Sequence, residues 1–207
     1  AYKGEIYGLL GPNGAGKTGI MYAMSIYKGI ISSKDYLTIF NANGKLKDLI
    51  NQNSKKFTIE VTFSCFNDMN PSKYNIYSHF IKVEEKGLSF QITEEKLSLL
   101  KGKNLNDYDK YITICHAING KIFAIYKPCS ERLKEQIISQ TLNLLDNVSI
   151  VNILLQEALK RELLDDEYEF FVYIAEIYAF SVDLTIVLQD ADLNSIKLSD
   201  ISKQIFT

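Results

Sequence analysis

The chain is short of the residues that mark several common classes of protein. Among its 207 residues there are only three cysteines, Cys65, Cys115 and Cys129, whose odd number and wide spacing fit neither a disulfide framework nor a zinc site. They read as reduced thiols packed among other side chains. Histidine is scarcer still. His79 and His116 lie far apart without cysteine or carboxylate at metal-ligand spacing, and are expected to be structural, partly buried or exposed. Charge of either sign is not in excess: 23 Lys and Arg stand against 25 Asp and Glu, a net charge of −2. No global cationic field therefore indicates nucleic acid, and Lys55-Lys56 and Lys101-Gly102-Lys103 are too short to argue for it. No apolar run approaches the roughly 18 residues of a spanning helix, and no secretory stretch opens the sequence. With 46% hydrophobic residues, the expectation is a cytoplasmic chain of one or two domains.

Against that background one stretch stands out. Gly11-Pro12-Asn13-Gly14-Ala15-Gly16-Lys17-Thr18 satisfies the phosphate-binding pattern GxxxxGK(S/T) in full. Glycines at both ends let the backbone curl until successive N–H groups point inward, a concavity matched to the oxygens of a di- or triphosphate. Lys17 adds a full positive charge and is the expected catalytic residue, while the Thr18 hydroxyl is the expected Mg²⁺ ligand. Gly11, Pro12, Asn13, Gly14, Ala15, Gly16, Lys17, Thr18 and Gly19 are the expected nucleotide-binding positions, with ATP and Mg²⁺ as cofactors. The flanks agree with the motif. Glu5 to Leu10 is an apolar run suited to a buried strand, and Gly19 to Tyr27 reads as a helix that Lys28-Gly29 should stop. A helix opening near Lys17 would aim the positive end of its dipole at the same phosphates.

The wording from Gly4-Glu5-Ile6-Tyr7-Gly8-Leu9-Leu10 through Thr18 resembles the Walker A segment of ABC-type ATPases, both transporter subunits and the heads of the SMC, RecF and OLD lineages. The Leu-Ser-Gly-Gly signature of transporter subunits is absent, and strand-like segments follow the first helix instead. That order is similar to the N-terminal half of the AAA-type, ABC-head ATP-binding proteins of abortive-infection and phage-defence systems. In those an antiparallel insertion opens with a strand like Phe57-Thr58-Ile59-Glu60-Val61-Thr62-Phe63. Leu188-Gln189-Asp190-Ala191-Asp192-Leu193-Asn194-Ser195-Ile196 is similar to the Ala-Asp-Leu-Gly-Ile segment that precedes their second half, with Asn194 in place of glycine. The resemblance implies an α/β fold with α+β elements: a P-loop ABC-type head fragment with an antiparallel β-sheet insertion and then a helical segment. It implies that signature, Walker B and switch histidine lie beyond Thr207, so that hydrolysis requires a homodimer of heads sandwiching ATP. Conformational change would pass to an effector such as a nuclease or toxin. An ABC transporter ATP-binding fragment and a nonhydrolysing interaction module with a vestigial P-loop are the alternatives.

By pattern the chain divides into 1–56, the P-loop strand and helix; 57–127, an antiparallel β subdomain; and 128–207, a helical subdomain. Residues 32–56 are polar and read as surface structure. Strands are predicted over Phe57 to Phe63, Tyr74 to Val83, Gly87 to Ile92, Tyr111 to Ile118 and Lys121 to Tyr126. Asn119-Gly120 is a two-residue hairpin signal, and Glu84-Glu85-Lys86-Gly87 should turn another pair. After Pro128 the period becomes helical. Leu133, Ile137, Ile138, Leu142 and Leu145 form one stripe; Ile150, Ile153, Leu154, Ala158 and Leu159 a second; Tyr168, Phe171, Val172, Ala175 and Tyr178 a third, over Glu167 to Ala179. No heptad run long enough for a true coiled coil is read here, and Asn147 and Asp165-Asp166 look like caps or breaks.

Three further features are weaker. Leu184 to Asp190 looks like a Walker B strand, but Ala191 follows Asp190 where a water-orienting glutamate belongs, so a strand end at the surface is the preferred reading. Asp165-Asp166-Glu167 reads as a helix start. Gln52, Gln91, Gln140 and Gln156 compete equally for the Mg²⁺-sensing glutamine of an ABC head.

Overall fold

The structure, a computed structural model, describes residues 17–32, 54–66, 74–87, 89–100, 111–126, 135, 148–160 and 165–183. Within them the chain is mixed α+β, with one five-stranded antiparallel sheet and three helices. Helix α1 (Lys17–Ser32) comes first, then β1 (Lys56–Phe66), β2 (Tyr74–Lys86), β3 (Ser89–Leu100), β4 (Tyr111–Ile118) and β5 (Lys121–Ile125). Helices α2 (Ile150–Ala158) and α3 (Asp165–Asp183) follow. The strands lie in chain order, each hydrogen-bonded to the next, as short connections require. Asn119 at φ 49° and Gly120 at φ 74° make the left-handed two-residue turn that the Asn-Gly pair predicts.

The predicted strands are all present, but β3 runs on through Leu100 where alternation stops at Ile92. The cause is a bulge. Val83 pairs with Ile92 and Lys82 with Glu94, which leaves Thr93 as an extra residue. Before it, Phe90 and Ile92 pack toward the helices; after it the phase is reset, so that Glu95, Leu97 and Leu99 are buried. Glu94 and Lys96 turn to the other face. Bulges recur at Ile114 on β4 and Phe123 on β5. The carbonyls of Thr93 and Ile114 accept from the N–H groups of Asn119 and Tyr126, at 2.8 and 2.7 Å, so these irregular residues still bind their backbone. The predicted turn also moves: β2 holds Glu84, Glu85 and Lys86 in register with Gln91, Phe90 and Ser89, and the chain reverses at Gly87, φ 65°.

All three helices cover one face of the sheet. Ile26, Tyr27, Ile30 and Ile31 of α1, Ile150, Val151 and Leu154 of α2, and Phe170, Phe171, Ile174 and Ile177 of α3 share a single apolar core with Phe63, Tyr77, Ile81, Val83, Leu97 and Ile114 of the sheet. Each such side chain contributes about 1.5–3 kcal/mol by leaving water. That burial explains why α1 continues past Gly29, its expected stop: Ile30 and Ile31 are fully buried, which outweighs the roughly 1 kcal/mol that glycine costs in a helix. On α3 the buried side is turned from the expected stripe. Phe170, Ile174 and Ile177 face inward, whereas Tyr168 and Ala175 are exposed. The ring of Phe180 stacks on Phe63 of β1 with centroids 4.0 Å apart, and Tyr173 meets Tyr77 and Tyr126 edge-on; these aromatic contacts set the helix's rotation. The Leu133–Leu145 stripe lies outside the described residues except at Glu135, and Asn147 is likewise outside.

Candidate functional site

The phosphate-loop motif meets the described structure at the first turn of α1. Lys17 and Thr18 open this helix, where the motif requires a helix to begin, while Gly11, Pro12, Asn13, Gly14, Ala15 and Gly16 lie outside the described residues. Helix α1 is held by its far half, through Ile26, Tyr27, Ile30 and Ile31, whereas Gly19 and Ile20 near its start are exposed. The first N–H groups of a helix have no intrahelical partner and mark the positive end of its dipole, the arrangement that binds anions. A Cβ at Gly19 would meet nothing within 4 Å, so packing does not explain glycine there.

Ten residues into α1, Tyr27 begins a buried polar chain. Its hydroxyl shares a hydrogen bond of 2.9 Å with Nδ1 of His79 on β2. Nε2 of His79 donates to Oε1 of Glu95 on β3 at 3.0 Å. The same oxygen accepts from the Ser149 hydroxyl at 2.6 Å, and Oε2 accepts from the Ile150 N–H at 2.8 Å. Ser149 is the N-cap of α2, its side chain also accepting from the Val151 N–H. Glu95 thus acts as an acceptor at both oxygens and places its charge at the positive end of α2. The chain ties α1, two strands and α2 together, with Tyr27, His79 and Ser149 fully buried. The serine, histidine and glutamate are those of a hydrolytic triad, but Ser149 donates to Glu95 and not to His79, and no substrate reaches a fully buried hydroxyl. The chain is structural. It corrects the expectation for His79, which is more deeply buried than an isolated strand histidine suggests because Glu95 and Tyr27 satisfy both ring nitrogens. Ser149, directly before an apolar helix, carries a readable N-cap signal; Glu95 does not, because the bulge at Thr93 hides its face.

Two further carboxylates, on α3, serve the same end. Glu176 accepts from Asn75 at 3.1 Å and from the Tyr77 hydroxyl, and Glu169 accepts from Tyr126 at 3.3 Å and from the Tyr173 hydroxyl. Burial, with the charge of Glu176 nearby, pushes the Cys65 thiol up to about 12, which makes it a poor nucleophile. Cys115 is buried, in keeping with packing thiols; Cys129 lies outside the described residues.

The other face of the sheet is open and charged. His116 donates from Nε2 to Glu94 at 2.9 Å, half-exposed, and Lys82 pairs with Glu84 at 2.7 Å. A concavity of about 350 Å³ is lined there by Glu60, Ser78, Phe80, Glu94, Lys96 and Tyr111. Among the described residues its lining carries two carboxylates, Glu60 and Glu94, to one ammonium, Lys96. Among the described residues no group of three or more His, Cys, Asp or Glu could hold a metal ion. Asp190, Gln52, Gln140 and the Leu188–Ile196 segment fall outside the described residues, and Gln91 and Gln156 stand on β3 and α2. No helix among the described residues is long and apolar enough to cross a membrane. No protein-family model, curated protein or solved structure matches the chain.

Proposed function

We propose that this chain is an ATP-binding domain of the P-loop class, an ABC-type head similar in layout to those of defence ATPases. The observation that carries the reading is the complete GxxxxGK(S/T) motif running into a helix that begins at its lysine. The exposure of Gly19 and Ile20 in its first turn, with the far half of α1 packed in the core it shares with an antiparallel sheet, supports it. The loop N–H groups and Lys17 would hold the β- and γ-phosphates, and Thr18 would hold Mg²⁺, which supplies charge neutralisation between the terminal phosphates when bound. In this reading two heads close on ATP as a homodimer, and the closure is passed to an effector. Walker B and signature residues would come from elsewhere, so that the chain alone binds ATP and scarcely hydrolyses it.

The test is calorimetric titration of Mg-ATP into the chain and into Lys17→Ala, with both folds checked by circular dichroism. Binding by the first that falls at least about tenfold in the second, roughly 1.4 kcal/mol, is the expected result. Two folded proteins that bind equally little would overturn the reading and favour a nonhydrolysing interaction module.

A further inference from the structure

Helix α3 is apolar on two sides. Phe170, Ile174 and Ile177 enter the core, and on the opposite side lie Tyr168, 49% exposed, Val172, half-buried, the exposed Ala175 and Ala179, and Val182, 38% exposed. These outer positions repeat by sevens: 168, 175 and 182 in one row, 172 and 179 in the other. With the first row at d and the second at a, they make the seam of a two-stranded helix pair, and Glu169, Glu176 and Asp183 fall at e beside it. The two alanines at the middle leave room for a second backbone to approach closely.

We propose that this face docks an amphipathic helix of another protein, with its own apolar heptad seam and Lys or Arg at the positions facing the acidic row. The charge of α3 selects that chemistry. The helix contains no Lys or Arg. Among the described residues, Glu169 accepts from the Tyr126 and Tyr173 hydroxyls, and Glu176 from the Asn75 amide and Tyr77 hydroxyl, donors that satisfy oxygens without neutralising charge. A second copy of the chain is a poor occupant for two reasons. Antiparallel pairing would set the acidic e row against itself, and parallel pairing would set it beside the g positions, Phe171 and Tyr178, which pack on the core and carry no positive charge. An anionic membrane is repelled by the same row. The heptad pattern covers little more than two heptads, which is consistent with the expectation of no run long enough for a true coiled coil, yet is enough for a helix already folded on a sheet.

The probe is a synthetic helix of three heptads with leucine at a and d and lysine flanking the seam, beside a second peptide with glutamate at the lysine positions. Both are titrated by fluorescence anisotropy against the full chain. The lysine peptide is expected to bind about tenfold or more tightly than the glutamate peptide, to weaken with salt, and to lose about tenfold in affinity against Ala175→Arg. Ala179→Arg is the second variant. Equal binding of the two peptides, no binding, or binding unchanged by either substitution overturns the proposal. So does a dimer of the unaltered chain that Ala175→Arg dissolves, which would make the occupant a second copy. Unfolding of both variants would mean that the chain's own residues cover the face, and would overturn it as well.

Discussion

Glu94 and Glu95 are neighbours on one strand, and each accepts a hydrogen bond from a histidine at almost the same distance, 2.9 and 3.0 Å. The pairs differ only in face. His116 and Glu94 stand on the open side, 21% and 33% exposed, where water competes for every hydrogen bond and screens the charge. His79 and Glu95 stand in the core, 0% and 2% exposed, where no solvent can replace a lost partner. Distance alone therefore says nothing about the energy. What differs is the cost of leaving a group unpaired, which is small outside and large inside.

The largest expected effect comes from breaking the inner pair. Glu95→Ala removes the acceptor of the His79 ring, the Ser149 hydroxyl and the Ile150 N–H at once, and should cost about 3–5 kcal/mol in urea unfolding. Since a domain has only about 5–15 kcal/mol to lose, partial unfolding at 25 °C is an acceptable outcome. Tyr27→Phe is gentler: it keeps the edge-on ring contact with His79, centroids 5.4 Å apart, and removes only the hydroxyl, for about 1–2 kcal/mol.

Alkaline pH sharpens the contrast next. Burial, and then the charge of Glu95, holds the Tyr27 hydroxyl far above its ordinary 10.0, and burial raises Cys65 from 9.0 to about 12. Groups raised in the folded state contribute stability that is whole below their unfolded pKa and is lost as pH rises. Unfolding free energy should therefore begin to fall above pH 9 through Cys65 and steepen above pH 10 through Tyr27, by about 1.4 kcal/mol per pH unit for each such group. Tyr27→Phe should remove its share of the steepening, seen in urea midpoints taken between pH 8 and 11. The smallest effect belongs to the open face, where Glu94→Ala should change stability by less than about 1 kcal/mol and less again in high salt. A loss at Glu94 equal to that at Glu95 would break the comparison and place both pairs in one environment.

The sheet was largely legible because β1 alternates apolar and polar residues, β2, β4 and β5 are rich in β-branched and aromatic residues, and the Asn-Gly turn permits one local geometry. β3 was legible only to its bulge. The run Thr93-Glu94-Glu95-Lys96 reads as solvent-facing, and an inserted residue that flips the phase leaves no mark in periodicity. The face of α3 was misread for a related reason: a helix with apolar residues on two sides gives a stripe whichever way it is turned, and Phe63, Tyr77 and Tyr126 pick the side.

By itself the sequence determined the phosphate-loop motif, the start of the helix behind it and the antiparallel meander, since each depends on residues close together in the chain. Only the tertiary structure decided that Gly29 stays helical, that Glu95 faces inward, and that Tyr27, His79 and Ser149 meet across 122 residues of chain. Those outcomes hang on what desolvation allows once the helices lie on the sheet: a buried carboxylate must collect donors wherever the fold brings them, and no local pattern specifies where that is.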